Sequence, residues 1–117
     1  DTIDRVSLLW IILHDVITKY KRKYPNWLFV RHEDIALKPL QGFQRIFNHL
    51  ELKMTRKIRN YIDKYTSSRN PKEAHSTLYQ PINSKMSLNS WKKRLSKDEI
   101  DRVIASTQAI ASQFYKN

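Results

Sequence analysis

The side chains of this sequence that could do chemistry are mostly cations. The chain carries 22 Lys and Arg against 11 Asp and Glu, which gives a formal net charge of +11. The excess falls in three clusters, within residues 19–24, 53–72 and 85–97. Such clusters favour an anionic partner: a nucleic acid, a nucleotide, a sulfated or phosphorylated glycan, or a membrane surface. The alternative is that each cluster is a solvated helix face.

The acidic and imidazole side chains give little support for acid–base or metal chemistry. Glu33 and Asp34 are adjacent carboxylates, but neighbouring residues of an extended segment point in different directions. We therefore expect them to cap the following turn or to pair with Arg31. His49 and His75 have no partners at metal-ligand spacing. The sequence predicts no metal site and names no catalytic residue.

The chain has no cysteine and a single glycine, Gly42. A disulfide scaffold, a thiolate nucleophile and a cysteine-based metal site are therefore excluded, as is a glycine-rich phosphate loop within these residues. The lack of cysteine leans towards a reducing compartment, and we expect a cytoplasmic protein. The longest apolar run, 8–13, is far below the roughly 20 residues that span a bilayer, so we expect no membrane span.

The elements that must position any site are mostly helices. Apolar periodicity and capping residues predict helices at 3–24, 39–50, 55–65 and 96–115, with a helical turn from Ser90 through Arg94. Asn70 is expected to cap a further short helix, with Glu73 reaching back. The continuous apolar run 27–30 predicts a buried strand, whose end at 31–34 is where α/β folds place ligands. The fold class is mainly α as it stands, with about five helices and one short strand.

Two features indicate that packing neighbours are absent. The first helix is apolar nearly all round, which is typical of a helix buried on more than one side. A lone strand also cannot satisfy its own backbone hydrogen-bonding groups. We therefore expect residues 1–117 to form a single incomplete domain. The polar segment 66–90 is predicted to be mainly a long loop, and such loops are usually functional or disordered.

Several motifs, in order, resemble those of the sulfotransferases that use 3′-phosphoadenosine-5′-phosphosulfate (PAPS). The run V-R-H-E-D-I at 30–35, followed by Pro39 and an apolar-striped helix, is similar to a motif segment of that family. T-S at 66–67 with N-P at 70–71, N-S-K at 83–85, W-K at 91–92 and the last helix agree in order and spacing. The resemblance covers 30–115 and implies the C-terminal part of a P-loop-like α/β fold.

The resemblance also implies roles for five residues. His32 stands near the adenine, although capping or packing at the strand end is an equal alternative. Thr66 and Ser67 match adenine-side contacts, so 66–90 is the nucleotide-side loop. Ser84 and Lys85 match the loop that grips the 3′-phosphate, where a hydroxyl beside an ammonium suits a dianion.

Two positions depart from the family pattern. Ser68 replaces a frequent aromatic residue, which weakens the case for ring stacking on the nucleotide at that position. Ile82 stands where many relatives carry Arg, which weakens the expected hold on the phosphate.

The implied function is transfer of a sulfuryl group from PAPS to an acceptor hydroxyl or amine. The family's phosphate loop and catalytic base have no counterpart here, so we expect this chain to be inactive without the remainder of its domain. The expected ligands are PAPS and its product 3′,5′-bisphosphoadenosine (PAP), with no metal; the acceptor is not readable. The alternative is a non-catalytic basic helical module that binds nucleic acid or an anionic glycan. That alternative explains the charge but not the order of motifs, so nucleic acid is not the expected partner.

Overall fold

The structure, a computed structural model, describes residues 1–76 and 79–115, and in these ranges it is helical without strands. The α-helices are α1 (Thr2–Lys23), α2 (His32–Leu37), α3 (Pro39–His49), α4 (Arg56–Thr66), α5 (Ser84–Ser87) and α6 (Lys97–Ala111). A 3₁₀ turn covers Ser90–Lys93. No helix in the described ranges is both long and apolar enough to cross a membrane.

Periodicity and capping together located the four longer helices, which the structure confirms to within a few residues. Thr55 is the N-cap of α4, where its hydroxyl accepts the Ile58 N–H at 3.3 Å. Ser96 opens α6 with a reciprocal capping box. Its hydroxyl accepts the Glu99 N–H at 3.2 Å, and the Glu99 carboxylate accepts the Ser96 N–H at 2.8 Å. These bonds satisfy N–H groups that have no partner within the helix.

The predicted strand at 27–30 is wrong for the described structure. The Trp27 N–H instead closes a turn on the Tyr24 carbonyl at 3.1 Å, and the two rings stack with centroids 4.3 Å apart. A strand needs a neighbouring backbone to bond with, and no described segment supplies one. The motif residues 32–34, expected beyond a strand end, lie instead in the first turn of α2. The pairing of Asp34 with Arg31 is confirmed, with Nε to Oδ2 at 2.9 Å.

The predicted short helix after Asn70 is also wrong. The Asn70 side chain does not cap the residues that follow it. Its amide group donates instead to the carbonyls of Lys64, at 2.8 Å, and Ile82, at 3.4 Å. These bonds join the end of α4 to the segment before α5, and residues 71–76 contain no helix.

The chain divides into two compact units, one of residues 1–29 with those from 92 onward, and one of residues 30–91. In the first unit α1 packs against α6. Arg102 joins the helices through Asp4, at 2.7 Å, and Asp1, at 2.8 Å. His14 stacks on Trp10 with ring centroids 3.6 Å apart and meets the Phe114 ring edge-on at 5.2 Å.

One helix therefore covers only part of the apolar surface of α1. Five of its aliphatic side chains are more than half exposed. They are Val6, Leu8, Leu9, Ile12 and Leu13. The nearly all-round apolar pattern of the sequence thus corresponds to a face that the described residues leave open.

The second unit has a small buried core of Ala36, Met54 and Ile62. The only glycine sits where α2 and α3 meet. A Cβ on Gly42 would lie 3.0 Å from the Ile35 Cα, so the close approach of these helices depends on the missing side chain.

Candidate functional site

A cleft of about 380 Å³ lies within the second unit, between the ends of α2, α4 and α5. Four of the five residues predicted for the nucleotide site line it: Thr66, Ser67, Ser84 and Lys85. These residues form two pairs in the sequence, 66–67 and 84–85, and the pairs are 17 positions apart. The fold therefore brings the two loop motifs to one place.

Ser84 ties the three helix ends together. Its hydroxyl donates to the Ala36 carbonyl at 2.7 Å and lies 3.3 Å from the Thr66 carbonyl. Ala36 is in α2 and Thr66 is the last residue of α4, so a single side chain links carbonyls near two helix C-termini. These carbonyls lack partners within their helices, and a hydroxyl donor between them holds the cleft walls in place.

Asn83, beside it, fixes the two arms of the loop to each other. Its side chain is buried, with only 6% exposed. The carboxamide donates to the Ser68 carbonyl at 3.1 Å and accepts the Met86 N–H at 3.0 Å, which caps α5. The backbone N–H donates to the Pro71 carbonyl at 2.7 Å. A buried amide whose nitrogen and oxygen both have hydrogen-bond partners specifies one loop arrangement.

The charge within the cleft is positive. Lys38 and Lys85 both line it, both are exposed, and neither forms an ion pair with any residue in the described ranges. Asp63 is the carboxylate of the lining, and it lies 3.8 Å from the Arg69 guanidinium in an exposed pair. Two ammonium groups without counter-ions, beside an acid that already has one, favour an anionic ligand.

Lys38 was missed by the sequence reasoning. Its signal was available, because it is the cation between the motif run 30–35 and the motif proline, Pro39. Only the turn from α2 into α3 shows that it lines the same cleft as Lys85.

Three hydroxyl groups of the cleft, those of Thr66, Ser67 and Ser84, divide into two kinds. Those of Thr66 and Ser84 donate to backbone carbonyls, Thr66 to Ile62 at 2.7 Å and Ser84 to Ala36. The Ser67 oxygen instead accepts the N–H and the Nε–H of Arg69, each at 3.2 Å. A hydroxyl carries one proton, so Ser67 keeps a donor for a ligand while the other two have committed theirs. Ser84 therefore holds the cleft in shape, and Lys85 supplies the charge beside it.

His32 is the one predicted site residue that does not line this cleft. It is the first residue of α2 and is exposed. Its expected place near an adenine ring stays a prediction.

Of the two adjacent carboxylates that follow His32, Asp34 belongs to a structural contact with Arg31. The hydrogen bond from Arg31 is the main cause that holds the Asp34 pKa below its usual range. A carboxylate so stabilised in its charged form is a poor proton acceptor at neutral pH. No group of three or more potential metal ligands occurs within residues 1–76 and 79–115.

Comparison with protein families identifies the family of this chain. The family described as the sulfotransferase domain matches residues 6–114, nearly the whole sequence. The chain therefore belongs to the sulfotransferase family, whose general chemistry is sulfuryl transfer. Neither the curated proteins nor the solved structures gave a match.

Proposed function

We propose that this chain supplies the adenine and 3′-phosphate side of the nucleotide site of a sulfotransferase that uses PAPS. The acceptor in that reaction is a hydroxyl or an amine. The observation that carries the proposal is the single cleft that gathers Thr66, Ser67, Ser84 and Lys85. Two motif pairs that resemble nucleotide-binding segments of the family thus share one cleft with two ammonium groups that form no ion pair in the described ranges.

Each residue then has a physical task. The Lys85 ammonium faces the 3′-phosphate dianion, with Lys38 adding a second charge to the same cleft. Ser67 donates its remaining proton, and Thr66 lies on the adenine side. Ser84 is a positioning residue, because its hydroxyl proton is directed at the Ala36 carbonyl.

The transfer step needs cations at the phosphosulfate as well. The bond from sulfur to the bridging oxygen of the phosphosulfate breaks, the acceptor forms the new bond to sulfur, and a base takes the acceptor proton. Negative charge develops on the 5′-phosphate of the departing nucleotide, where fixed cations stabilise it, while Lys85 and Lys38 hold the nucleotide by its 3′-phosphate. The base and the glycine-bearing phosphate loop come from the remainder of the domain. Residues 1–117 form part of one sulfotransferase domain on this proposal, with 66–90 as its nucleotide-side loop.

The test compares PAP with adenosine 5′-phosphate by isothermal titration calorimetry on the 117-residue chain. The proposal expects saturable binding of PAP and at least a roughly ten-fold weaker affinity for the nucleotide that lacks the 3′-phosphate. Lys85→Gln and Lys38→Gln should each weaken PAP binding, Lys85→Gln by about ten-fold. Lys53→Gln is the matched control, because Lys53 is exposed and lies outside the cleft lining.

The result that overturns the proposal is binding governed by overall charge. In that case the three variants would weaken PAP binding equally, the two nucleotides would bind alike, and an oligonucleotide would compete in a length-dependent and steeply salt-dependent way. Such an outcome would favour a basic module that binds nucleic acid.

A further inference from the structure

A second cleft in the 30–91 unit has a different chemistry. It is an open groove of about 410 Å³ between α3 and α4. Its lining consists of Leu40, Gln41, Gln44, Arg45, Asn48 and Arg59. Leu40 and Gln41 also line the first cleft, so the two clefts share a wall near the start of α3. No carboxylate contributes to this lining.

A chain of hydrogen bonds across the cleft has a fixed direction. Arg59 of α4 donates to the Gln44 side-chain oxygen, because a guanidinium has no acceptor. The Gln44 amide nitrogen must then face away from Arg59, and it donates to the Asn48 side-chain oxygen at 2.8 Å. The Asn48 side-chain nitrogen takes no part in this bond, so its N–H groups remain as donors. This series of three side chains, the Arg59–Gln44–Asn48 relay, therefore ends in a donor.

Arg45 adds further donors to the same cleft. It is exposed and forms no ion pair within the part of the chain that the structure describes. Asp34 is close enough for the Arg45 charge to contribute to its lowered pKa, but that carboxylate is held by two hydrogen bonds from Arg31. The positive charge of Arg45 thus remains available to a ligand.

We propose that this cleft is a second anion site, which binds a tetrahedral oxyanion such as a phosphate or sulfate group. Arg45 and Asn48 approach from one turn of α3 and Arg59 from α4. Donors that line the cleft from two helices can approach different oxygens of a group with three terminal oxygens, whereas a carboxylate offers only two. The volume leaves room for an organic body beside Leu40. The site is separate from the proposed nucleotide cleft and does not depend on that proposal.

The experiment is an NMR titration of the 117-residue chain with inorganic phosphate, sulfate and acetate at constant ionic strength maintained with chloride. The reporters are the Asn48 side-chain NH₂ and the Nε–H groups of Arg45 and Arg59. We expect saturable shifts with phosphate or sulfate and weaker binding of acetate. Saturation by both anions indicates a site for any tetrahedral group, whereas saturation by one alone identifies the source as a phosphate or a sulfate ester.

Variants separate the site from general surface charge. Arg45→Gln and Arg59→Gln should each lower the affinity by about ten-fold. Arg45→Gln leaves the Arg59–Gln44–Asn48 relay intact, so it tests the site even where Arg59→Gln disturbs the packing of α4. Lys57→Gln, which removes an exposed charge of α4 outside the lining, should leave the affinity unchanged. Linear shifts without saturation, an equal loss with Lys57→Gln, or shifts confined to Ser84 and Lys85 would each overturn the proposal.

Discussion

The α1–α6 unit and the 30–91 unit differ in the interactions that stabilise each of them internally. In the first, two long helices pack side by side and exposed ion pairs of Arg102 join their ends. In the second, short helices meet at a cleft whose walls are fixed by half-buried and buried side chains bonded to backbone carbonyls. Both units expose apolar side chains, but the buried apolar residues of the described ranges, an Ala, a Met and an Ile, all lie in the second.

This difference shows where specificity resides in the chain. Regular helices need only an apolar stripe and caps, and many sequences provide them. The cleft depends on individual polar groups such as Asn83 and Ser84, each with defined partners 12 or more residues away. Single substitutions should therefore affect the two units unequally.

The largest contrast concerns two aliphatic side chains. Ile62→Ala removes a core residue that is 7% exposed and should lower the free energy of unfolding by about 2–4 kcal/mol. Leu9→Ala removes a side chain of α1 that is 56% exposed and should cost less than about 1 kcal/mol. Urea unfolding followed by circular dichroism measures both values. Equal losses would show that the open face of α1 is packed in solution, and the comparison would fail.

The next effect concerns the buried amide of the loop. Asn83→Ala removes the α5 cap and leaves the Ser68 carbonyl without its donor, so we expect a loss of about 2 kcal/mol. Asn89→Ala is the control, because Asn89 is exposed and its side chain has no hydrogen bond in the described structure. Hydrogen exchange should also accelerate at residues 83 and 86 in the first variant. Unchanged exchange there would contradict the role given to Asn83.

A smaller effect is expected at the neighbouring serine. Ser84→Ala removes the donor to the Ala36 carbonyl and should lower the free energy of unfolding by about 1 kcal/mol. Ser68→Ala, an exposed serine of the same cleft, should change it by less than about 0.5 kcal/mol. Thermal unfolding followed by circular dichroism compares them. A stable Ser84→Ala variant that loses PAP binding would make Ser84 a direct ligand contact instead of a positioning residue.

The smallest effect is the acid sensitivity of the α1–α6 unit. The hydrogen bond from Arg102 is the main cause that holds the Asp4 pKa below its usual range. A carboxyl whose pKa is lower in the folded state stabilises the fold above its unfolded pKa, near about 3.9. That stabilisation is lost as the pH falls through the lower folded value. We expect the free energy of unfolding, measured in urea, to fall less between pH 6 and pH 3 in Arg102→Gln than in the control variant Arg5→Gln. Equal losses of this free energy would show that Arg102 does not have this role.

How much the sequence could predict also differs between the units. The apolar period located α1 and α6, and the capping box at Ser96 fixed the start of α6; both are local signals. The false strand at 27–30 shows the limit of such signals, because a strand is decided by its hydrogen-bonding neighbour and not by its own residues. α2 was missed because it has only six residues, although Glu33 and Asp34 in its first turn are typical of a helix start.

In the candidate site the residue types could be predicted, but their roles in the structure could not. The motif order located Thr66, Ser67, Ser84 and Lys85, which line one cleft. The sequence could not show that the Ser84 proton is used on a backbone carbonyl, because that partner, Ala36, lies 48 residues away. Nor could it show that Lys38 lines the same cleft, which depends on the turn between α2 and α3.

The most direct test of the account is an amide ¹H–¹⁵N correlation spectrum of the chain titrated with PAP. If these cleft residues form the nucleotide site, the shifts are saturable and centred on residues 66–67, 84–85 and Lys38, with α1 and α6 unaffected. Shifts spread over the basic surface of both units, without saturation, would contradict it.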